Sequence, residues 1–91
     1  MKIEVKSVAI SSEWNLSIQL QKIHEEHQEF TKALREYIRF GKPIMKAAEE
    51  LADLMIACAT MAELMRIPFE QVMRQVETKN ETRGYYDNNQ N

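Results

Sequence analysis

Residues recur in steps of three and four along the first half of the chain. Leu16, Leu20, Ile23, His27, Phe30, Leu34 and Ile38 fall on one line. The spacing is close to an a/d repeat and predicts an amphipathic helix from about residue 13 to 40. Ser11 or Ser12 offers an N-cap. Gly41 stops the helix, and Pro43 suits the first turn of the next. The second helix, about 43–65, carries Ile44, Ala48, Leu51, Met55, Cys58, Ala62 and Met65 as its main stripe. Leu54, Ile56, Ala57, Ala59 and Met61 make most of its remaining surface apolar too. A helix apolar on nearly every side is buried on nearly every side. Three helices of one chain do not provide that cover. A second copy is therefore expected to complete a four-helix-type bundle, as a dimer or tetramer. Pro68 opens a third helix, about 68–82, with Phe69, Val72, Met73 and Val76 facing inward, and Gly84 ends it.

The N-terminal residues fit this pattern less well. Ile3 and Val5 alternate with Lys2, Glu4 and Lys6, and Val8-Ala9-Ile10 then breaks the alternation. A single short strand is not stable alone. Residues 1–12 are thus an extension that pairs with another copy, packs on the helices or stays mobile. The expected architecture is all-α: an antiparallel helical hairpin plus a third helix, in one domain over 1–91, with 87–91 a frayed polar tail.

Composition narrows the function. Two glycines and two prolines in 91 residues leave few breaks, which favours long helices. The net charge of −2 gives no reason to expect nucleic-acid or membrane-surface binding. The lone Cys58 excludes an internal disulfide and reads as a small buried hydrophobe. The start of the chain, interrupted by Lys2, Glu4 and Lys6, does not resemble a signal peptide, and the apolar run of 51–65 contains Asp53 and Glu63. A cytoplasmic location is expected.

Two acidic groups change the picture most. With Ile23 at the centre of the first stripe, Glu26 lies about 60° away, Glu29 about 120° and Glu25 about 160°, all the same way round. With Ile44 as reference, Glu50 lies about 120° off and Asp53 about 180°. Each helix thus offers an i,i+3 carboxylate pair beside its packing stripe. In an antiparallel hairpin about Gly41–Pro43, residues 26–29 fall level with 50–57, so the pairs can face each other. Asp53 stands out as a carboxylate inside the apolar run LADLMIACATMA. Burying an unpaired carboxylate costs several kcal/mol or forces protonation. Hard divalent cations with oxygen ligands would compensate such a cluster. The alternative is a solvated face whose acids pair with Lys22, Lys32 and Lys46. Trp14, before the first helix, either stacks on a base or anchors the helix start.

The motif Glu25-Glu26-His27-Gln28-Glu29, followed by Glu50-Leu51-Ala52-Asp53 and by Lys79-Asn80-x-x-Arg83-Gly84-Tyr85, resembles the MazG-like all-α nucleoside triphosphate pyrophosphohydrolases. That superfamily includes dimeric dUTPases and phosphoribosyl-ATP pyrophosphatases. The resemblance covers about residues 14–86. It implies cleavage of a nucleoside triphosphate or deoxynucleoside triphosphate to the monophosphate and pyrophosphate, with Mg²⁺ or Mn²⁺. It also implies that Glu26, Glu29, Glu50 and Asp53 are metal ligands. Glu25 and Glu26 would serve catalysis, Glu25 either by supporting the ligands from behind or by helping to orient the attacking water. Lys79, Asn80 and Arg83 would contact phosphate; Trp14, read from its place before the helix alone, is the further substrate-binding candidate. The competing readings are a phosphoribosyl-ATP pyrophosphatase and a non-catalytic helical oligomerisation or adaptor module.

Overall fold

A computed structural model describes residues 1–87. It contains three helices and, among the described residues, no strand: α1 (Leu16–Phe40), α2 (Ile44–Met65) and α3 (Phe69–Thr82). No helix is long and apolar enough to cross a membrane. The extension over 1–12 is neither helix nor strand. It is tied to α2 where the Val8 N–H donates to Thr60 Oγ1 at 3.0 Å. Of the three expected behaviours, packing on the helices is the one observed.

Asn15 caps α1, its side-chain oxygen accepting from the Ile18 N–H at 3.0 Å. This corrects the expected cap at Ser11 or Ser12. Those serines precede a turn in which the Trp14 N–H donates to the Ser11 carbonyl, so the helix starts three residues later than expected. At the other end Gly41 takes φ 66°, and its N–H donates to the Tyr37 carbonyl. The left-handed conformation disfavours any side chain there, although a Cβ would meet no neighbour. Pro43 then leads into α2. The three-residue turn reverses the chain. Gln19 bonds to Ala57, and Glu26 approaches Glu50, so that a step forward along α1 is matched by an equal step back along α2. The hairpin is antiparallel in the expected register.

The face along which the helices meet differs from the expected one. The buried positions are Gln19, Glu26 and Ala33 on α1, and Ala47, Glu50, Ala57 and Thr60 on α2. On α1 this line is turned about 60° from the apolar stripe, and on α2 about 130°. The alanines explain the choice, because small side chains let the two backbones approach. The acids therefore lie within the interface and not beside it. Much of the apolar stripes stays bare: Leu20 is 62% exposed, Ile38 72% and Ile44 53%, whereas Ile23, Phe30, Leu34 and Met55 are half-buried. Cys58, expected to be buried, is exposed with them.

α3 has almost no packing against the hairpin. The chain is accordingly extended, with a radius of gyration of 16.0 Å, against about 12 Å for a compact chain of this length. Its accessible surface is 7893 Å², against about 5,500 Å² expected for a folded monomer of this mass.

Candidate active site

The acidic motif of α1 and that of α2 meet in the middle of the hairpin. Glu26, Glu29 and Glu50 each place a carboxylate oxygen within 4.8 Å of the others. Glu26 and Glu50 are buried, whereas Glu29 is exposed at the rim. Lys22 Nζ lies 2.8 Å from Glu26 Oε1, and Lys46 Nζ lies 2.9 Å from Glu50 Oε1. Both lysines stand one turn before their acid. The remaining oxygens, Glu26 Oε2 and Glu50 Oε2, are buried without a hydrogen-bond partner. A buried acceptor left unpaired is unfavourable. Two of them lie in one cluster.

The electrostatics of the cluster follow from these contacts. A hydrogen bond with Glu50, then repulsion from Glu26 and Glu50, raises the Glu29 carboxyl above its usual value. The Lys46 ammonium, by hydrogen bond and charge, lowers Glu50 against the opposing effect of desolvation. Hydrogen bonding to Glu26 and its charge raise Lys22, and Glu50 does the same for Lys46. Lys46 and Glu50 thus hold each other in their charged forms.

Asp53 requires a correction. It is exposed and does not belong to the three-carboxylate group. The buried, unsatisfied carboxylates are Glu26 and Glu50. Asp53 lies on the same side of α2 as Glu50 and Thr60, and its exposure comes from the open cavity it borders. Asp53 instead joins Lys22 and Glu26 in the wall of a cavity of about 500 Å³. Val8 and Ile10 of the extension and Trp14 just before α1, with Ile56 and Ala57 of α2, supply its apolar lining. Glu25 is exposed on α1 near Lys22, whose charged form it also favours.

The expected phosphate-contacting residues are not brought to the acids within one chain. Lys79 and Arg83 are exposed, and Asn80 donates from Nδ2 to the Tyr86 hydroxyl at 3.2 Å. None of the three is paired with the cluster.

Two residues of the site carry little signal in the sequence. Gln19 is 3% exposed, accepts from Trp14 Nε1 at 2.7 Å and donates from Nε2 to the Ala57 carbonyl at 2.8 Å. Its seven-residue spacing to Glu26 and Ala33 is the one available clue. Thr60 links the extension to α2 by accepting from Val8 and donating to the Ile56 carbonyl. The lysines were legible as the alternative partners of the acids. Lys22 and Lys46 do pair with them, and Lys32 does not.

Comparison with known proteins adds one positive finding. The family model for phosphoribosyl-ATP pyrophosphohydrolase matches residues 7–80. No curated protein and no solved structure matches the chain. The matched segment contains the three helical acids, both lysines, Trp14 and Gln19, and it ends at Asn80.

Proposed function

The chain belongs to the phosphoribosyl-ATP pyrophosphohydrolase family, and on that premise we propose that it cleaves a nucleoside triphosphate to the monophosphate and pyrophosphate with Mg²⁺. Phosphoribosyl-ATP, the substrate named by the matched family, is the first candidate. Membership of a hydrolase family sets aside the non-catalytic adaptor.

One observation carries the proposal: the unpartnered Oε2 atoms of Glu26 and Glu50, buried within one carboxylate group that includes Glu29. The donor set consists of hard oxygens only, which suits Mg²⁺, or Mn²⁺, better than a softer metal. When bound, Mg²⁺ would neutralise phosphate charge and lower the pKa of the attacking water. Glu26, Glu29 and Glu50 would hold it, with Asp53 reaching in from the cavity wall. Glu25 is assigned the orientation of the water. Lys22 and Lys46 neutralise the acids in the free protein, and a cation would release both ammonium groups at the rim of the site. There they would attract the phosphate chain as point charges.

Lys79, Asn80 and Arg83 keep their assignment to phosphate, reached through assembly. The bare stripes of α1 and α2 support self-association. The excess surface, about 2,400 Å² per chain, is larger than one partner's share of a standard interface, about 800 Å².

The test is pyrophosphate release from a panel of canonical and modified nucleoside triphosphates and phosphoribosyl-ATP, with and without Mg²⁺. Equimolar monophosphate and pyrophosphate, formed with Mg²⁺ present, supports the proposal. A folded, Mg²⁺-supplemented protein that turns over none of the panel refutes it.

A further inference from the structure

Two lines of charge on this chain match each other in sign and placement. On α1, with Leu20 as reference, His24 lies about 40° round the helix, Arg35 about 60°, Arg39 about 100° and Lys32 about 120°, all the same way. Glu26 lies about 120° the other way, on the face that meets α2. On α3, with Phe69 as reference, Glu77 lies about 80° round, Glu70 about 100° and Glu81 about 120°, in the same rotational sense as the cations of α1. Arg83 and Lys79 lie about 40° and 80° the other way. These cations and acids are exposed, and among the described residues none of them forms an ion pair. Glu36, beyond the cations, is held by Lys42 at 3.8 Å. Glu25 and Arg74 stand further out, each at about 140°. Beside each charged line runs a bare apolar edge, Leu20 and Ile38 on α1, Met73 and Val76 on α3. Like charges one turn apart, such as Arg35 with Arg39 and Glu77 with Glu81, destabilise a helix that stands alone. A facing line of opposite sign removes that cost.

We propose that α3 of a second copy lies antiparallel along the bare edge of α1, with its Glu70, Glu77 and Glu81 against Lys32, Arg35 and Arg39. Flanks of equal rotational sense meet when two helices face each other antiparallel and part when they are parallel, so the charges set the direction. The lengths fit: the 14 residues of α3 span about 21 Å, and Leu20 to Arg39 spans about 29 Å. The occupant is a second copy because α3 cannot take this place in its own chain. The cation line lies about 160° round α1 from the residues that meet α2. The link from Met65 to Phe69 reaches at most about 14 Å, less than two helix diameters of about 10 Å each. The pairing deepens the assembly invoked above and rests on the hydrolase reading only for what it delivers. The antiparallel direction sets the C-terminal end of α3 level with the N-terminal half of α1. The opposite flank of α3 then carries Lys79 and Arg83 to the side of α1 that bears Glu26 in the other copy.

The experiment reverses each line separately in the full chain, without nucleotide or metal, and reads the dissociation constant of self-association by sedimentation. Arg35→Glu with Arg39→Glu reverses α1, and Glu77→Lys with Glu81→Lys reverses α3. Each pair alone should weaken association at least about tenfold, because it sets like charges face to face. An equimolar mixture of the two variants, and a chain carrying all four changes, should recover to within about threefold of the parent. Parent-like affinity of either variant, or no recovery in the mixture, overturns the pairing. Recovery in the four-change chain but not in the mixture places the contact within one chain and overturns the second copy as occupant. Without any substitution, the parent should associate about three- to tenfold more weakly at about 0.5 M than at about 0.05 M NaCl, and indifference to salt also overturns it. Hydrolysis is not read here. Recovery in the mixture without pyrophosphate release by the parent refutes the hydrolase reading alone, and release without recovery refutes the pairing alone.

Discussion

Glu26 and Glu50 meet across the antiparallel hairpin as near mirror images. Each gives one oxygen to a lysine one turn earlier in its own helix and leaves the other buried and unpartnered. Two such half-satisfied acids would repel each other without their lysines. The arrangement is a charge-balanced resting state with two free acceptor positions, and its behaviour on perturbation can be specified.

Removing either lysine should strengthen cation binding while weakening the metal-free fold. Lys22→Met and Lys46→Met each delete a competing positive charge and leave an acid unneutralised. Exposed ion pairs contribute up to about 1 kcal/mol, so Mg²⁺ affinity should rise about two- to fivefold in each variant. Calorimetric titration checks the affinity, and thermal unfolding in EDTA should show a lower Tm than the parent.

The pH dependence follows from the opposite shifts of Glu29 and Glu50. Glu29, raised above its ordinary value, binds a proton at a higher pH than a free carboxyl does, and where it is protonated a cation must displace that proton. Mg²⁺ affinity should therefore fall as the pH drops through that raised value, and the protons released per cation should rise toward one below it. Titration in buffers of different ionisation enthalpy measures that release. In the metal-free protein, Glu50 contributes stability above its ordinary value of 4.5 that is lost on acidification. Glu29 has the reverse sign: its contribution is present at low pH and disappears as the pH rises through its raised value. Glu29→Gln should remove that alkaline loss.

The hairpin register, the turn and all three helices were legible in the sequence, because Gly41, Pro43 and Pro68 punctuate long periodic runs. The convergence of Glu26 and Glu29 on Glu50 was legible too, since a tight turn folds the two acidic motifs back on each other in an antiparallel hairpin. The packing face was not. Hydrophobic periodicity locates an apolar stripe without saying which neighbour covers it, and α1 meets α2 through alanines and polar groups instead. This is why Asp53, in the most apolar segment, looked buried, whereas Glu26 and Glu50 are the buried acids. Gln19 escaped notice because a single polar residue on a helix carries no signature of the carbonyl it will meet.

Self-association should depend on the bare stripes. Light scattering should give the parent chain a mass of at least twice 10.7 kDa. A Leu20→Glu, Ile38→Glu double variant should shift it toward the monomer, since both side chains are more than half exposed in one chain. A monomeric parent would contradict the assembly through which α3 is expected to reach the site.

Arg66 ends α2 with φ 54°, in the left-handed region that favours glycine. Arg66→Gly should stabilise the fold by about 1 kcal/mol, raising Tm by about 4–8 °C. Gly41→Ala, at φ 66°, should destabilise it by a similar amount, about 1 kcal/mol. Thermal unfolding measures both.

Calorimetric titration of Mg²⁺ and Mn²⁺ into the parent chain and into Glu50→Gln, with circular dichroism confirming the fold of each, goes to the centre of the account. Saturable cation uptake by the parent, weakened by at least about tenfold in Glu50→Gln, is the predicted result. A folded parent that takes up no cation, or equal affinities in the two proteins, would contradict it.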